Sequence, residues 1–165
     1  MNSTVKVCFV CLGNICRSPL AQGVFEALVK EEGLQDRIII SSAGVSAWHV
    51  GNPPDGRMQQ TARDHGILLN SRARQFQSSD FEQMDLVLAM DHSNLSALKQ
   101  MSAEPELQDK LFLFRSFDPQ HNNDLEVPDP YYGGGKGFET VYQIVHRTCP
   151  NVLDHLKAQL AKKHE

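Results

Sequence analysis

Several features are scarce in this chain, and each scarcity removes a class of function. No apolar stretch approaches the ~18 residues of a membrane-spanning helix, so a membrane protein is not expected. The segment Met1-Asn2-Ser3-Thr4 has no basic leader followed by an apolar run and a cleavage site, so secretion is not expected either. Four cysteines at uneven spacing are too few for a disulfide scaffold in 165 residues and read as thiols kept reduced in the cytoplasm. Positive charge does not prevail: the formal net charge is −4, which argues against nucleic acid as a partner. There is no linker, internal repeat or low-complexity tract, so residues 1–165 are expected to form one domain. A hydrophobic content of 41% with 22% charged residues is ordinary for a globular chain and sufficient for a core.

The order of elements is legible from apolar periodicity. Thr4 to Val10 reads as a buried strand. Ser18 and Pro19 suit a helix start, Ser18 as N-cap, and Leu20, Val24 and Leu28 form the core-facing stripe up to Gly33. Arg37 to Ser41 predicts a second strand, Asp55 to His65 a helix ended by Gly66, and Met84 to Ala89 a third strand. Asp91 should cap a helix from His92 to Met101, and Leu111 to Phe114 should be a short fourth strand. A long polar loop, Phe117 to Lys136, leads into a final helix from Phe138 to about Lys162, expected to break or kink near Pro150. Strands alternating with helices mean an α/β domain around a parallel sheet, with ligands at the carboxyl ends of the strands.

The first strand delivers the chain to Cys11-Leu12-Gly13-Asn14-Ile15-Cys16-Arg17. A strand, a tight loop and a helix N-terminus together present free backbone N–H groups and the positive end of a helix dipole, which favours an oxyanion. A cysteine at such a place, beside a cation, ionises readily and attacks without a separate base. Arg17 offers a planar fork that fits two oxygens of a phosphoryl group, and the N–H groups of residues 12 to 17 would complete a ring around it. Gly13 would let the backbone approach the anion, and Asn14 tolerates a left-handed conformation. Ser18 is placed to donate a hydrogen bond to the sulfur. The alternative, a buried structural thiol with an unrelated surface cation, fits Cys-x5-Arg spacing alone but not the strand before it and the Ser-Pro helix start after it.

Leaving-group departure from a phosphate ester needs a proton. Asp129, between Pro128 and Pro130, is a candidate donor, since a carboxyl that is partly desolvated near other anions holds its proton. It reads equally well as a turn aspartate. Tyr131 and Tyr132 beside it have rings large enough to wall a slot for a flat phenyl group, or to serve as ordinary packing. Asp91 also falls near the strand ends, where helix capping is an equal explanation. Gly133 to Gly137 lacks the spacing of a nucleotide-binding loop and reads as a flexible segment beside the acid. Cys8 and Cys149 read as inert core thiols.

Val10-Cys11-Leu12-Gly13-Asn14-Ile15-Cys16-Arg17-Ser18-Pro19 resembles the active-site signature of the low-molecular-weight protein tyrosine phosphatases. The likeness continues in Ser42-Ala43-Gly44, Gly51-Asn52-Pro53-Pro54-Asp55, His65-Gly66-Ile67, Ala73-Arg74-Gln75, Met90-Asp91, Asp129-Pro130-Tyr131-Tyr132 and Phe138-Glu139-Thr140-Val141-Tyr142. The resemblance implies a small doubly wound domain with a four-stranded parallel sheet flanked by helices. It implies hydrolysis of phosphotyrosine proteins through a phosphocysteine on Cys11, without metal or other cofactor, with Arg17 on the phosphoryl group and Asp129 as general acid and base. Leu12, Gly13, Asn14, Ile15, Cys16 and Ser18 would bind substrate, and Trp48 and His49 would rim the slot with Tyr131 and Tyr132. Inorganic phosphate and vanadate would inhibit, and a monomer or weak homodimer is expected. In this family the second cysteine, here Cys16, can form a disulfide with the nucleophile, and Ser42 joins the hydrogen bonds around Asn14. Many relatives carry histidine where this chain has Ser71, which leaves one branch of that network open.

Three other chemistries fit the same residues less well. Arsenate reduction through an internal relay needs a close cysteine pair around residues 80 to 90, where this chain has none. Arginine phosphatases of this type carry a small threonine where Ile15 stands, and the bulkier side chain narrows the pocket toward phenyl phosphate. A non-catalytic phosphate-binding module would have no use for both Cys11 and Asp129.

Overall fold

The computed structural model describes residues 3–102, 104–133 and 135–163. Among these, four strands form one parallel sheet: β1 (Val5–Cys11), β2 (Ile38–Gly44), β3 (Leu86–Ala89) and β4 (Leu111–Leu113), in the order β2-β1-β3-β4. Around it lie α1 (Arg17–Glu31), α2 (Gly56–Asp64), α3 (Asp80–Gln83), α4 (His92–Met101), α5 (Pro105–Gln108) and α6 (Gly135–Lys163), with a 3-10 turn at Phe114–Phe117. This is the doubly wound α/β architecture expected, and the expected strands and four longer helices are all present. The short helices α3 and α5 were not foreseen, because four residues carry too little periodicity to read.

Strand order sets the site. From β1 the chain moves outward to β2 on one side, then returns to place β3 on the other side of β1. The direction of winding therefore reverses at the carboxyl end of β1, and helices on opposite faces leave a crevice there. The last residue of β1 is Cys11, in register with Gly44 of β2. Alternation along β1 sends Val5, Val7, Phe9 and Cys11 to the face covered by α1 and α6, and Cys8 and Val10 to the face with Phe76, Phe81 and Leu98. Phe9 anchors the first face, edge-on to Phe25 at 5.6 Å and to Phe114 at 5.8 Å.

One local expectation fails and another is narrowed, each for a physical reason. Ser18 is not the N-cap of α1: Cys16 holds that position, with no side-chain cap, and the Ser18 hydroxyl is engaged beneath the loop instead. Pro150 does not break the last helix, which runs unbroken from Gly135 to Lys163. Pro150 and His146, whose carbonyl loses its helical donor, both lie on the exposed face, where water can take up that carbonyl, while Cys149, Val152, Leu153 and Leu156 stay buried. The polar loop is also shorter than expected, since Phe117 closes the 3-10 turn and Gly135 to Gly137 already lie in α6. Gly134, within the glycine-rich segment read as flexible, lies outside the described residues.

Candidate active site

The loop after β1 turns its carbonyls away from its own interior. The carbonyls of Cys11, Leu12 and Ile15 accept from the N–H groups of Val45, Ser46 and Asp55 at 2.9, 3.0 and 2.8 Å. Among the described residues none accepts a hydrogen bond from the N–H groups of Leu12 to Cys16. Asn14, at φ +59°, makes the left-handed step that curls the loop. Gly44 is required for this packing, because a Cβ there would meet the Leu12 carbonyl oxygen at 2.8 Å. Gly13 leaves room for the His49 ring, which a Cβ would meet at 2.9 Å.

Asn14 is held by both polar atoms of its side chain. Its Nδ2 donates to the hydroxyls of Ser18 at 2.8 Å and Ser42 at 3.0 Å, and its Oδ1 accepts from the Arg74 N–H at 3.0 Å. Ser18 Oγ in turn lies 3.0 Å from Cys11 Sγ. All four side chains are buried, so each hydrogen bond is made away from competing water.

Arg17 is gripped from one side. Its Nη1 donates to Asp91 Oδ2 at 2.7 Å and to the Val127 carbonyl at 3.0 Å, which uses both hydrogens of that nitrogen. The edge formed by Nε and Nη2 is left to face the pocket, where Nη2 lies 3.5 Å from Asp129 Oδ2. Burial alone would lower the Arg17 pKa, but the facing Cys11, Asp91 and Asp129 raise it, so the cation is secure. Asp91 does two things at once: Oδ1 caps α4 by accepting from the Asn94 N–H at 2.8 Å while Oδ2 holds Arg17.

A pocket opens above this loop, lined by Cys11, Leu12, Gly13, Ile15, Cys16 and Arg17, with Trp48, His49, Asp129, Tyr131 and Tyr132 as its walls. Of the residues expected to catalyse or to bind substrate, Asn14 and Ser18 lie outside it, as supports beneath the loop, and Ser42 and Asp91 stand behind them. Asp129 accepts from the Tyr131 N–H at 3.0 Å, an Asx turn that aims its second oxygen at Arg17. Tyr131 packs edge-on against Tyr132, ring centroids 4.9 Å apart, and tilts toward His49 at 6.2 Å. Trp48 and Tyr132 are largely exposed, at 76% and 88%. They form the rim, with Tyr131 deeper.

The cysteines separate by surroundings. All four are free thiols. Burial pushes Cys8 up to about 11 and drives Cys149 higher still. Burial also raises Cys16, helped by the nearby Asp55, Cys11 and Asp129. Among the described residues no group of three or more His, Cys, Asp or Glu side chains is placed to hold a metal ion, and no helix is long and apolar enough to cross a membrane.

Residues not foreseen also shape the site. Arg57 donates to Asp55 and to the Tyr131 carbonyl at 3.1 Å, with its guanidinium over the rings of Tyr131 and Phe138. Gln22 reaches Ser42 from α1. The Val127 carbonyl and the Arg74 N–H are backbone groups, which no residue type announces.

The chain matches the family model described as low molecular weight phosphotyrosine protein phosphatase over residues 6–164. A low molecular weight protein-tyrosine-phosphatase of Streptomyces coelicolor is 44% identical over 158 residues, which is 95% of this chain and 96% of that one. A protein tyrosine phosphatase from Entamoeba histolytica superimposes with a TM-score of 0.90 at 36% identity, covering 94% of this chain and 99% of that one. A Drosophila arginine phosphatase superimposes at 0.84 with 37% identity, covering 92% and 97%. The signature loop, the strand order and the whole-chain similarity agree: the chain belongs to the low-molecular-weight phosphotyrosine protein phosphatase family.

Proposed function

We propose that this protein tyrosine phosphatase hydrolyses phosphotyrosine and small aryl phosphates through a phosphocysteine on Cys11. One observation carries the reading: a sulfur, a guanidinium edge and a carboxylate converge on one pocket with aromatic walls at the carboxyl end of β1. The Nε–Nη2 edge of Arg17 binds two phosphoryl oxygens, and the inward N–H groups of residues 12 to 16 bind the rest, so charge developing in the transition state meets donors already in place. Cys11 Sγ attacks phosphorus, and Asp129 gives its proton to the departing phenolic oxygen. Asp129, now a carboxylate, takes a proton from water as that water forms a bond to phosphorus. The P–S bond breaks with its electron pair on sulfur, where the Ser18 hydroxyl donates a hydrogen bond.

Tyr131 and Ile15 flank the reacting group, and Trp48, His49 and Tyr132 meet the protein around it. The chemistry proceeds without a metal, inorganic phosphate and vanadate compete for the cradle, and residues 1–165 act as one domain, as a monomer or weak homodimer in the cytoplasm. Rapid acid quenching during turnover of an aryl phosphate should trap phosphate on Cys11, with activity unchanged by a chelator. Cys11→Ser should bind vanadate and trap nothing. Normal turnover by that variant, or faster hydrolysis of phosphoarginine than of phosphotyrosine, would overturn the reading.

A further inference from the structure

The pocket wall from Asp129 to Gly133 is tied to the rest of the protein at few points. Among the described residues it makes two hydrogen bonds within itself, Tyr131 N–H to Asp129 Oδ1 and Gly133 N–H to the Pro130 carbonyl. It makes one hydrogen bond outward, from Arg57 Nη2 to the Tyr131 carbonyl at 3.1 Å, besides the ion pair of Asp129 with Arg17. Arg57 is aimed before it reaches the wall. Asp55 Oδ1 accepts from its Nε at 3.1 Å and Asp55 Oδ2 from its Nη2 at 2.9 Å, a two-point grip that fixes the guanidinium plane. Both hydrogens of Nη2 are thereby used, one on Asp55 and one on Tyr131. The guanidinium lies 4.8 Å from the ring centroid of the buried Phe138 and 5.5 Å from that of Tyr131. Tyr131 lines the pocket and Arg57 does not, so the cation stands behind the ring that a substrate meets in front.

We propose that Arg57 is a positioning residue that sets the face of Tyr131 and so makes the pocket favour aryl over alkyl phosphates. The inference rests on the phosphocysteine reading, in which Tyr131 flanks the phenyl ring of the substrate. The other two parts of the pocket do not need Arg57. Arg17 is held by Asp91 and the Val127 carbonyl, and Asp129 by its own Asx turn and by Arg17. The Tyr131 ring packs on Tyr132 and His49, and its hydroxyl makes no hydrogen bond among the described residues, so its backbone tether decides its tilt. A phenyl group touches such a wall over a whole face, and a tilted wall forfeits dispersion along one edge. A methyl group or a bare phosphate does not reach the wall. Arg57 therefore acts on the shape of the group accepted and leaves the chemical step alone.

Competitive inhibition by two phosphonates tests this without turnover. Phenylphosphonate and methylphosphonate share the charged head and differ in the ring. Arg57→Leu should raise Ki for phenylphosphonate about threefold, the scale of one solvent-exposed hydrogen bond. Ki for methylphosphonate and for inorganic phosphate should stay unchanged, which also reports an intact cradle. KM for phenyl phosphate should rise in step while kcat holds. Arg57→Met, whose stem still covers Phe138, should behave as Arg57→Leu does, since the guanidinium carries the effect. In a Tyr131→Leu background the same change should cost nothing further, because Arg57 acts through that ring. An unchanged Ki for phenylphosphonate would overturn the proposal. An equal rise for both phosphonates would also overturn it, by placing Arg57 on the cradle through Asp55 and Ile15. So would a fall in kcat, a wild-type ratio in Arg57→Met, or a full further loss in the Tyr131→Leu background. Absence of phosphate on Cys11 in the acid-quenched wild-type protein would instead overturn the reading beneath it.

Discussion

The two halves of the pocket are built on opposite terms. The loop from Cys11 to Ser18 is sealed beneath: Asn14, Arg17 and Ser18 are at most 2% exposed, and apart from the pocket-facing edge of Arg17 their polar side-chain atoms are met by partners from β2, the N-cap of α4, the segment after α2 and the Val127 carbonyl. The wall from Asp129 to Tyr132 is open, with the Asp129 side chain 33% exposed and Tyr132 at 88%. Oxyanion stabilisation depends on donors that do not move, whereas a wall that meets varied protein surfaces gains from adjustable contacts. The open wall is not loose at its base. Asp118 is buried and receives Arg115 Nε at 2.9 Å, Arg147 Nε at 2.9 Å and the Gln120 N–H at 2.8 Å. Arg115 passes the restraint forward to the Glu126 carbonyl at 2.9 Å, and the Val127 N–H donates to Met90 at 2.8 Å. One fixed clasp thus leads the chain to an exposed tip.

The sharpest way to break the comparison is to remove one chemical group from each half. Cys11→Ser should abolish turnover, because the other thiol lining the pocket, Cys16, is held protonated by burial and the nearby acidic groups; steady-state assay of p-nitrophenyl phosphate checks this. Asp129→Ala should cost about 10²–10⁴ in rate, the usual contribution of a general acid. That loss should grow as the leaving group becomes poorer, which a series of substituted phenyl phosphates measures. Equal slowing across the series would remove Asp129 from the acid role.

The clasp should show itself in stability. Burial alone would raise the Asp118 pKa, but hydrogen bonds from Arg147, Arg115 and the Gln120 N–H pull it down to about 2. A depressed carboxyl contributes stability that is fully present above its unfolded value near 3.9 and is lost as pH falls toward 2. The contribution is about 2 kcal/mol. Asp118→Asn should therefore flatten the acid limb of a stability-against-pH curve measured by urea unfolding, at a cost at neutral pH of up to about 3–5 kcal/mol where two arginines lose their partner.

The smallest effect sharpens the contrast instead of breaking it. Arg57 joins Asp55, whose N–H donates to the Ile15 carbonyl, to the Tyr131 carbonyl, so it links the sealed loop to the open wall. Its guanidinium is exposed, so solvent screens the pair and its contribution is small. Arg57→Leu should raise KM for aryl phosphates a few-fold at most, with kcat nearly unchanged, in a steady-state comparison.

Much of this was readable in advance where neighbours in sequence are neighbours in space. The sealed loop is contiguous, so Cys11, Gly13, Asn14 and Arg17 declare a cradle together, and the strand before them is continuous apolar sequence. Asp91 was ambiguous because one carboxylate does two jobs on two oxygens. Ser18 reads as a cap in the sequence because a hydroxyl at a helix start has a local use and a distant one, and in the fold the distant network beneath the loop takes it. Gln22 carries no signal at all, since a half-buried glutamine on a helix is unremarkable until β2 brings Ser42 to it.

The amino-acid order alone determined the alternation of strands and helices, the anion-seeking loop and the acid between two prolines, because these depend on periodicity and on residues within one turn of each other. Tertiary structure alone decided which nitrogen of Arg17 is tied back and which edge faces the pocket, which hydroxyls meet Asn14 beneath the loop, and that Pro150 lies within a continuous helix. Those outcomes depend on backbone carbonyls, on hydroxyl direction and on which face meets water, and such quantities exist only once distant segments have packed.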